Sequence, residues 1–353
     1  MEQCMHAWRD THIHKCQGNV LELTKLGLRQ VISEGKRNGC FTFRPNFYNS
    51  ISLQVWSSRC SVGKLKAKAA KCRCASLARD AQQEDGEAED FQVLAALRSS
   101  FNDIVIVDTP SSRMLLLDST HNVHSILYKD RKWTGSYWDE FASLPAIVPK
   151  GPIAIFGLGG GTTARLMLDL WPSLQLDGWE IDAILIDKAR EYLGLSDLEK
   201  LTLAGGILNV HIGDAFSQSV NVSGGYAGIV VDLFSDGKVL PQLQEVTTWL
   251  ELNDKLMPNG RIMVNCGGMD EASVVMDETL YPKTSSIDGT WVQNSTVKAL
   301  SKAFPGQLSW KRMPKRCGEN YLALTGPLPD LTSWSAAVPD PLSESVKHWK
   351  ALA

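Results

Sequence analysis

Four acids and a cluster of glycines carry the chemistry that this sequence can offer. Ile153-Ala-Ile-Phe-Gly-Leu-Gly-Gly-Gly161 is a short apolar run that empties into glycines. It reads as a strand running into a turn whose backbone must pass close to another group, with a helix to follow. Nineteen residues past Gly161, the apolar run 176–181 carries Glu180. A parallel neighbouring strand would set that carboxylate beside the glycine turn, where it can accept both hydroxyls of a ribose. Gly157, Gly159, Gly161 and Glu180 are therefore candidate positions for an adenosine-containing cofactor. Asp214 follows the run Ile207–Ile212 and could accept from an adenine amino group, or cap a helix ahead of Phe216. Asp232 ends the run 227–231 and would stand nearest the reacting atoms, as a base or as an orienting group, with a turn carboxylate as the alternative. Asp236, within Ser235-Asp-Gly237, is either a second acid of the site or part of an ordinary turn.

The elements that must position these groups alternate. Strand patterns at 153–156, 176–181, Ile207–Ile212, 227–231 and 261–265 are separated by helical patterns at 162–171, 183–193 and 243–256. A helix over 296–304 and two closing strands, 308–311 and 321–325, complete the series. That order predicts an α/β fold: a seven-stranded, doubly wound, Rossmann-like sheet with right-handed crossovers and an antiparallel final pair. Ahead of it, runs at 104–107, 113–117 and 123–128 predict a small N-terminal antiparallel β-sheet, preceded by a short helix over 91–97 and followed by one over 137–148. The tail, with Pro327, Pro329, Pro339 and Pro341, reads as irregular chain and then a surface helix. The divisions expected are 1–80 as a disordered extension with a transit segment, 81–102 as an acidic linker and short helix, 103–150 as the small sheet region and helix, 151–330 as the nucleoside-binding domain, and 331–353 as the tail.

Composition narrows the partners. The chain has 353 residues and a net charge of −3. Residues 1–80 hold 14 Lys/Arg against 5 Asp/Glu, and the remainder 22 against 34, so an acidic body follows a basic head and nucleic acid is a poor partner. No apolar run approaches the roughly 18–20 residues of a membrane span. Six of eight cysteines lie in the first 74 residues, which argues against a disulfide framework in the body. The cluster Cys4, His6, His12, His14, Cys16 matches no standard metal spacing, so no metal is expected. From 35 to 79 there is no Asp or Glu, and Cys72-Arg-Cys-Ala75 resembles the end of a chloroplast transit peptide. A chloroplast stroma location follows as an expectation, with the cytoplasm as alternative.

Taken in order, Phe156-Gly-Leu-Gly-Gly-Gly161, Trp179-Glu-Ile-Asp182, Ile212-Gly-Asp-Ala215 and Val230-Val-Asp232, with Leu115-Leu-Leu-Asp118 ahead of them, resemble the spermidine synthase (polyamine aminopropyltransferase) family and its methyltransferase-like relatives, of plant plastid type. The resemblance implies a class I methyltransferase-type sheet that binds S-adenosylmethionine, its decarboxylated form or methylthioadenosine, with Glu180 on the ribose and Asp214 at the adenine. It implies a small-molecule acceptor such as a polyamine, a homodimer, and acceptor contacts from Trp138 and Glu140. Three departures bear on activity. Gly160 stands where the family has an acid that holds the aminopropyl ammonium. Asp232-Leu-Phe-Ser-Asp236-Gly replaces the family's Asp-x-x-Asp-Pro, and His121-Asn122 falls near its glutamine. Transfer of an aminopropyl or a methyl group, a methyltransferase proper, and a catalytically silent binding or dimerisation protein are the readings that result.

Overall fold

The structure, a computed structural model, describes residues 44–46, 50–52, 91–120, 122–268, 290–314 and 320–352. The expected transit segment and acidic linker therefore lie outside the described residues, apart from a paired β1 (Arg44–Asn46) and β2 (Ser50–Ser52). The cysteine and histidine cluster near the start, and His121, also lie outside them.

A four-stranded antiparallel sheet comes first: β3 (Gln92–Arg98), β4 (Asp103–Asp108), β5 (Ser112–Leu116) and β6 (Ser125–Tyr128), paired in that order. The short helix expected over 91–97 is instead β3. Its register against β4 shifts between Val93 and Ala95, and that extra residue breaks the two-residue alternation, so the apolar positions imitate helical spacing. Ile104, Ile106 and Leu115 face the main core, while Val105, Val107, Met114 and Leu116 form a separate small cluster. Helix α1 (Tyr137–Phe141) and a single turn of tighter helix, Leu144–Ile147, then lead into the large sheet.

That sheet is built from β7 (Ile153–Phe156), α2 (Thr162–Leu170), β8 (Gln175–Glu180), α3 (Ala183–Tyr192), α4 (Leu195–Leu198), β9 (Ile207–Ile212) and β10 (Tyr226–Val231). A two-residue ribbon, β11 (Phe234–Ser235) with β12 (Lys238–Val239), precedes α5 (Val246–Asn253), β13 (Leu256–Asn265), α6 (Ser295–Ala303), β14 (Leu308–Arg312) and β15 (Tyr321–Thr325). The spatial order is β14-β15-β13-β10-β7-β8-β9, parallel except for β15 and β14, which run antiparallel to their neighbours. These are the seven expected strands. Ile153 and Ile155 point into one core, and Ala154 and Phe156 into the other. A strand covered on both faces is apolar at every position, which is why β7 and β10 read as unbroken hydrophobic runs.

The tail departs from expectation. Helices α7 (Leu331–Ala337) and α8 (Leu342–Ser345) dock on the body, and β16 (Lys350–Ala351) adds an eighth strand against β14. Trp334 and Trp349 are almost wholly buried, and the Trp334 indole donates to the Ser143 carbonyl at 3.2 Å. An aromatic side chain of this size outweighs the irregular backbone that the prolines impose.

Candidate active site

The order of strands reverses beside β7, and a cleft of about 240 Å³ opens there at the carboxyl ends of β7, β8, β9 and β10. This is the place where an open parallel sheet binds ligands. Gly157, Gly159, Glu180, Asp214 and Asp232 all line it, together with Trp179, Phe216, Tyr137 and His124. The small sheet roofs this end. Thr162 and Ile126 exchange bonds across the two layers, the Gly160 amide donates to Ser125 Oγ at 2.7 Å, and Asn102 reaches Asp182, the cap of α3, at 2.8 Å.

The glycine turn is set by close approach. Gly157 has φ of +87°, and a Cβ there would lie 2.1 Å from the Asp232 carbonyl oxygen. Gly157→Ala is expected to cost at least about 1–3 kcal/mol of unfolding free energy from the left-handed backbone alone, measured by urea denaturation. Gly161 caps α2 with φ of +84° and lies outside the cleft lining. The turn's amides are already engaged, because Gly159 donates to Glu180 Oε2 at 3.0 Å and Gly160 to Ser125. A pyrophosphate would need those donors, so the turn suits a nucleoside better than a dinucleotide.

Glu180 accepts from the Asp182 amide through Oε1 at 3.2 Å. Burial raises its pKa, opposed by the amides of Gly159 and Asp182. Each oxygen keeps acceptor capacity toward the cleft, as a pair of ribose hydroxyls requires. Asp214 stands exposed at the rim, where Oδ1 accepts from the Phe216 amide at 2.9 Å. No helix follows it, so it closes a local turn where a helix cap was the alternative, and it lines the cleft. Trp179 lines the cleft and stacks on His211 with ring centroids 4.6 Å apart.

Asp232 sits at the deep end. Asn265 Nδ2 donates to its Oδ1 at 2.9 Å. The Asn265 amide is oriented by what its own oxygen accepts, from Gly267 N at 3.1 Å and Asn320 Nδ2 at 3.0 Å. Tyr137 and Trp138 also bond the Asp232 carboxyl. Burial pushes that carboxyl up to about 6, with the bonds from Asn265 and Tyr137 and the nearby His124 working in the other direction. Burial, and then the charge of Asp232, raise the Tyr137 phenol well above its ordinary range.

Three expected acceptor residues are placed elsewhere. Glu140 is buried away from the cleft, where it meets Lys311 Nζ at 2.6 Å, Ser345 Oγ and the Trp349 indole at 3.2 Å. A buried carboxylate needs such partners, and these tie α1 to β14 and the tail. Trp138 is 6% exposed and does not line the cleft. It supports Asp232, while its neighbour Tyr137, one residue earlier on α1, faces the ligand space. Asp236 is exposed at the tip of the β11–β12 ribbon with φ of +50°, so it is a turn residue there and does not line the cleft. Sequence reasoning missed Tyr137, His124 and Asn265. Of these, only Tyr137 had a signal, as the neighbour of a residue already singled out.

No family profile matches the chain. A probable polyamine aminopropyl transferase of Bifidobacterium longum is 26% identical over 216 residues, 59% of this chain and 46% of that protein. The chain thus spans about half the length of this curated relative. Among solved structures, a probable spermidine synthase from Corynebacterium glutamicum is similar at a TM-score of 0.47 with 14% identity, covering 69% of this chain and 86% of the other. The spermidine synthase of Thermotoga maritima is similar at 0.45 with 16% identity, covering 66% and 72%.

Proposed function

We propose that this chain, spermidine-synthase-like in sequence and built on a class I methyltransferase-type sheet, is a transferase that binds an adenosyl sulfonium and moves an alkyl group to a small acceptor. One observation carries the reading: a single cleft holds Glu180 and Asp214 at one end and the buried Asp232 at the other. In that reading Glu180 takes the ribose hydroxyls, Asp214 the adenine edge, and Asp232 the proton of the nucleophile. Displacement at a sulfonium carbon needs alignment and removal of that proton, and both are within reach of one carboxylate in an enclosed site. Calorimetry of the full chain with S-adenosylmethionine, its decarboxylated form and methylthioadenosine tests it. Weak binding of all three would overturn the proposal.

A second reading, a methyltransferase proper, is favoured by the packing at Gly160. A Cβ there would lie 2.5 Å from Leu193 Cδ1 and 2.8 Å from Ser125 Cβ, so the space for an ammonium-binding acid is filled and not merely vacated. Tighter binding of S-adenosylmethionine than of the decarboxylated form would select this reading. The basic, acid-free segment supports delivery to the chloroplast, and a reporter fused to residues 1–80 that stays in the cytosol would count against it.

The raised pKa of Asp232 has two consequences of defined sign. Activity is expected to rise with pH through a limb centred near about 6, as the base ionises, and a pH profile of kcat/KM checks this. A carboxyl with a folded pKa near about 6 against an ordinary 3.8 binds more protons folded than unfolded between those values. Its ionisation therefore opposes folding as pH rises through that window, and the opposition is complete above it.

A further inference from the structure

A second cavity, of about 230 Å³, lies between β6, the loop that follows it and α2. It shares no lining residue with the cleft. Its charged residues are Arg131, Lys132 and Arg165 against Asp169, a cationic balance on a body whose residues 81–353 hold 22 Lys/Arg against 34 Asp/Glu. The two guanidinium groups come from different elements, and each is already held in place. Arg131 lies over the Tyr128 ring, 3.7 Å from its centroid, which fixes the plane of its N–H donors and leaves their outer edge open. Arg165, on α2, gives both hydrogens of Nη2 to the carbonyls of Leu193 and Gly194, each at 2.9 Å. Its Nε and Nη1 carry the remaining donors, and no acceptor among the described residues takes them. Arg165 is half-buried, and burial works against its charge more than Asp169 and Asp197 favour it. A fixed, partly desolvated guanidinium with open donors calls for an acceptor.

We infer that this cavity binds a phosphate group in its dianionic form, free or as a monoester, between the guanidinium groups of Arg131 and Arg165. The planar fork of an arginine matches two phosphate oxygens at once, and two forks with a lysine beside them match a group with three charged or acceptor oxygens. Three cations against one carboxylate leave two positive charges, the complement of a dianion. A carboxylate would fill one fork and leave the other open. Ile126, Leu127 and Leu166 line the rest of the cavity with apolar surface, against which the carbon body of a monoester would pack. The bound group would bridge the roof sheet to α2, elements that Thr162 and Ile126 already join, so it should stabilise the fold as its concentration rises. The inference stands apart from the transferase reading, because none of these residues enters the proposed chemistry.

Titration of the full chain with inorganic phosphate, followed by phosphorus NMR at fixed ionic strength and about pH 8, where the group is dianionic, tests the site. Saturable binding is expected, with chloride at the same ionic strength unable to displace it. Arg131→Gln, on an exposed loop, is expected to weaken phosphate about 10-fold or more. Arg165→Lys keeps a charge but loses the open fork and is expected to weaken it likewise; should that variant fail to fold, Arg131→Gln decides. Asp169→Asn removes the opposing carboxylate and is expected to bind phosphate more tightly. Asp232→Asn, in the cleft, is expected to bind it as the wild type does. Phenyl phosphate separates the two sources: tighter binding than inorganic phosphate assigns the site to a monoester, and equal or weaker binding assigns it to the free ion. Absence of saturable binding, wild-type affinity in Arg131→Gln, or weaker binding in Asp169→Asn would overturn the inference. A changed affinity in Asp232→Asn would place the phosphate in the cleft and overturn it too.

Discussion

Asp232→Asn is expected to lower turnover by about 10²- to 10⁴-fold, the range contributed by a positioned proton acceptor, while methylthioadenosine affinity stays within about threefold, far less than a lost charged hydrogen bond would cost. The substitution keeps the shape of the side chain. Its oxygen can still accept from Asn265, which the bonds from Gly267 and Asn320 hold in place, so the deep end of the cleft should remain assembled. What disappears is the charge that attracts an ammonium and the site that takes its proton. Steady-state kinetics with each adenosyl donor, beside calorimetry of methylthioadenosine, separates the two effects. A variant equal to the wild type in every assay would mean that the chain is a silent binding protein.

The second large effect is on stability. Glu140→Ala is expected to cost about 3–5 kcal/mol of unfolding free energy, because it removes a buried carboxylate that faces a buried ammonium. Lys311 is 5% exposed at its side chain and Glu140 1%, so water cannot take the place of the missing carboxylate. The Trp349 indole and Ser345 lose an acceptor at the same time, which should loosen the tail from the sheet. Denaturant unfolding of the single variant and of Glu140→Leu combined with Lys311→Met makes the distinction. The double variant, with neither charge buried, should recover most of the loss. Had Glu140 held the acceptor, its removal would weaken acceptor binding and leave stability nearly intact.

These two acids show where the sequence could be read and where it could not. Asp232 was legible because it ends an unbroken apolar run, and in a parallel sheet the residue after such a run projects at the ligand-binding edge. The glycines were legible for the same reason, and Glu180 from its place at the end of the next strand, although Asp177 interrupts that strand's apolar pattern. Glu140 belongs to a helix whose rotation against the sheet no spacing specifies. A shift of one residue along α1 moves a side chain by about 100° around the axis, and that shift is the difference between Tyr137 in the cleft and Trp138 outside its lining. Asp236 failed differently, since a left-handed turn and a second site acid use the same residue types.

His124 was the least legible of all. Its place in the cleft depends on its contact with Asp118, six residues earlier, and on the roof that β6 makes over the glycine turn. Neither leaves a pattern along the chain.

By itself, then, the sequence determined the order of strands and helices, the apolar runs of the central sheet, and the acids at the strand ends, because local periodicity and strand-end position are properties of neighbours in the chain. Tertiary structure alone decided the fourth strand of the small sheet, the docking of the tail through Trp334 and Trp349, the filling of the space beside Gly160, and which of several polar side chains meet in the cleft. Apart from the local β3–β4 pairing, whose bulge disguises it, those outcomes rest on contacts between residues tens to hundreds of positions apart, and no local spacing encodes them.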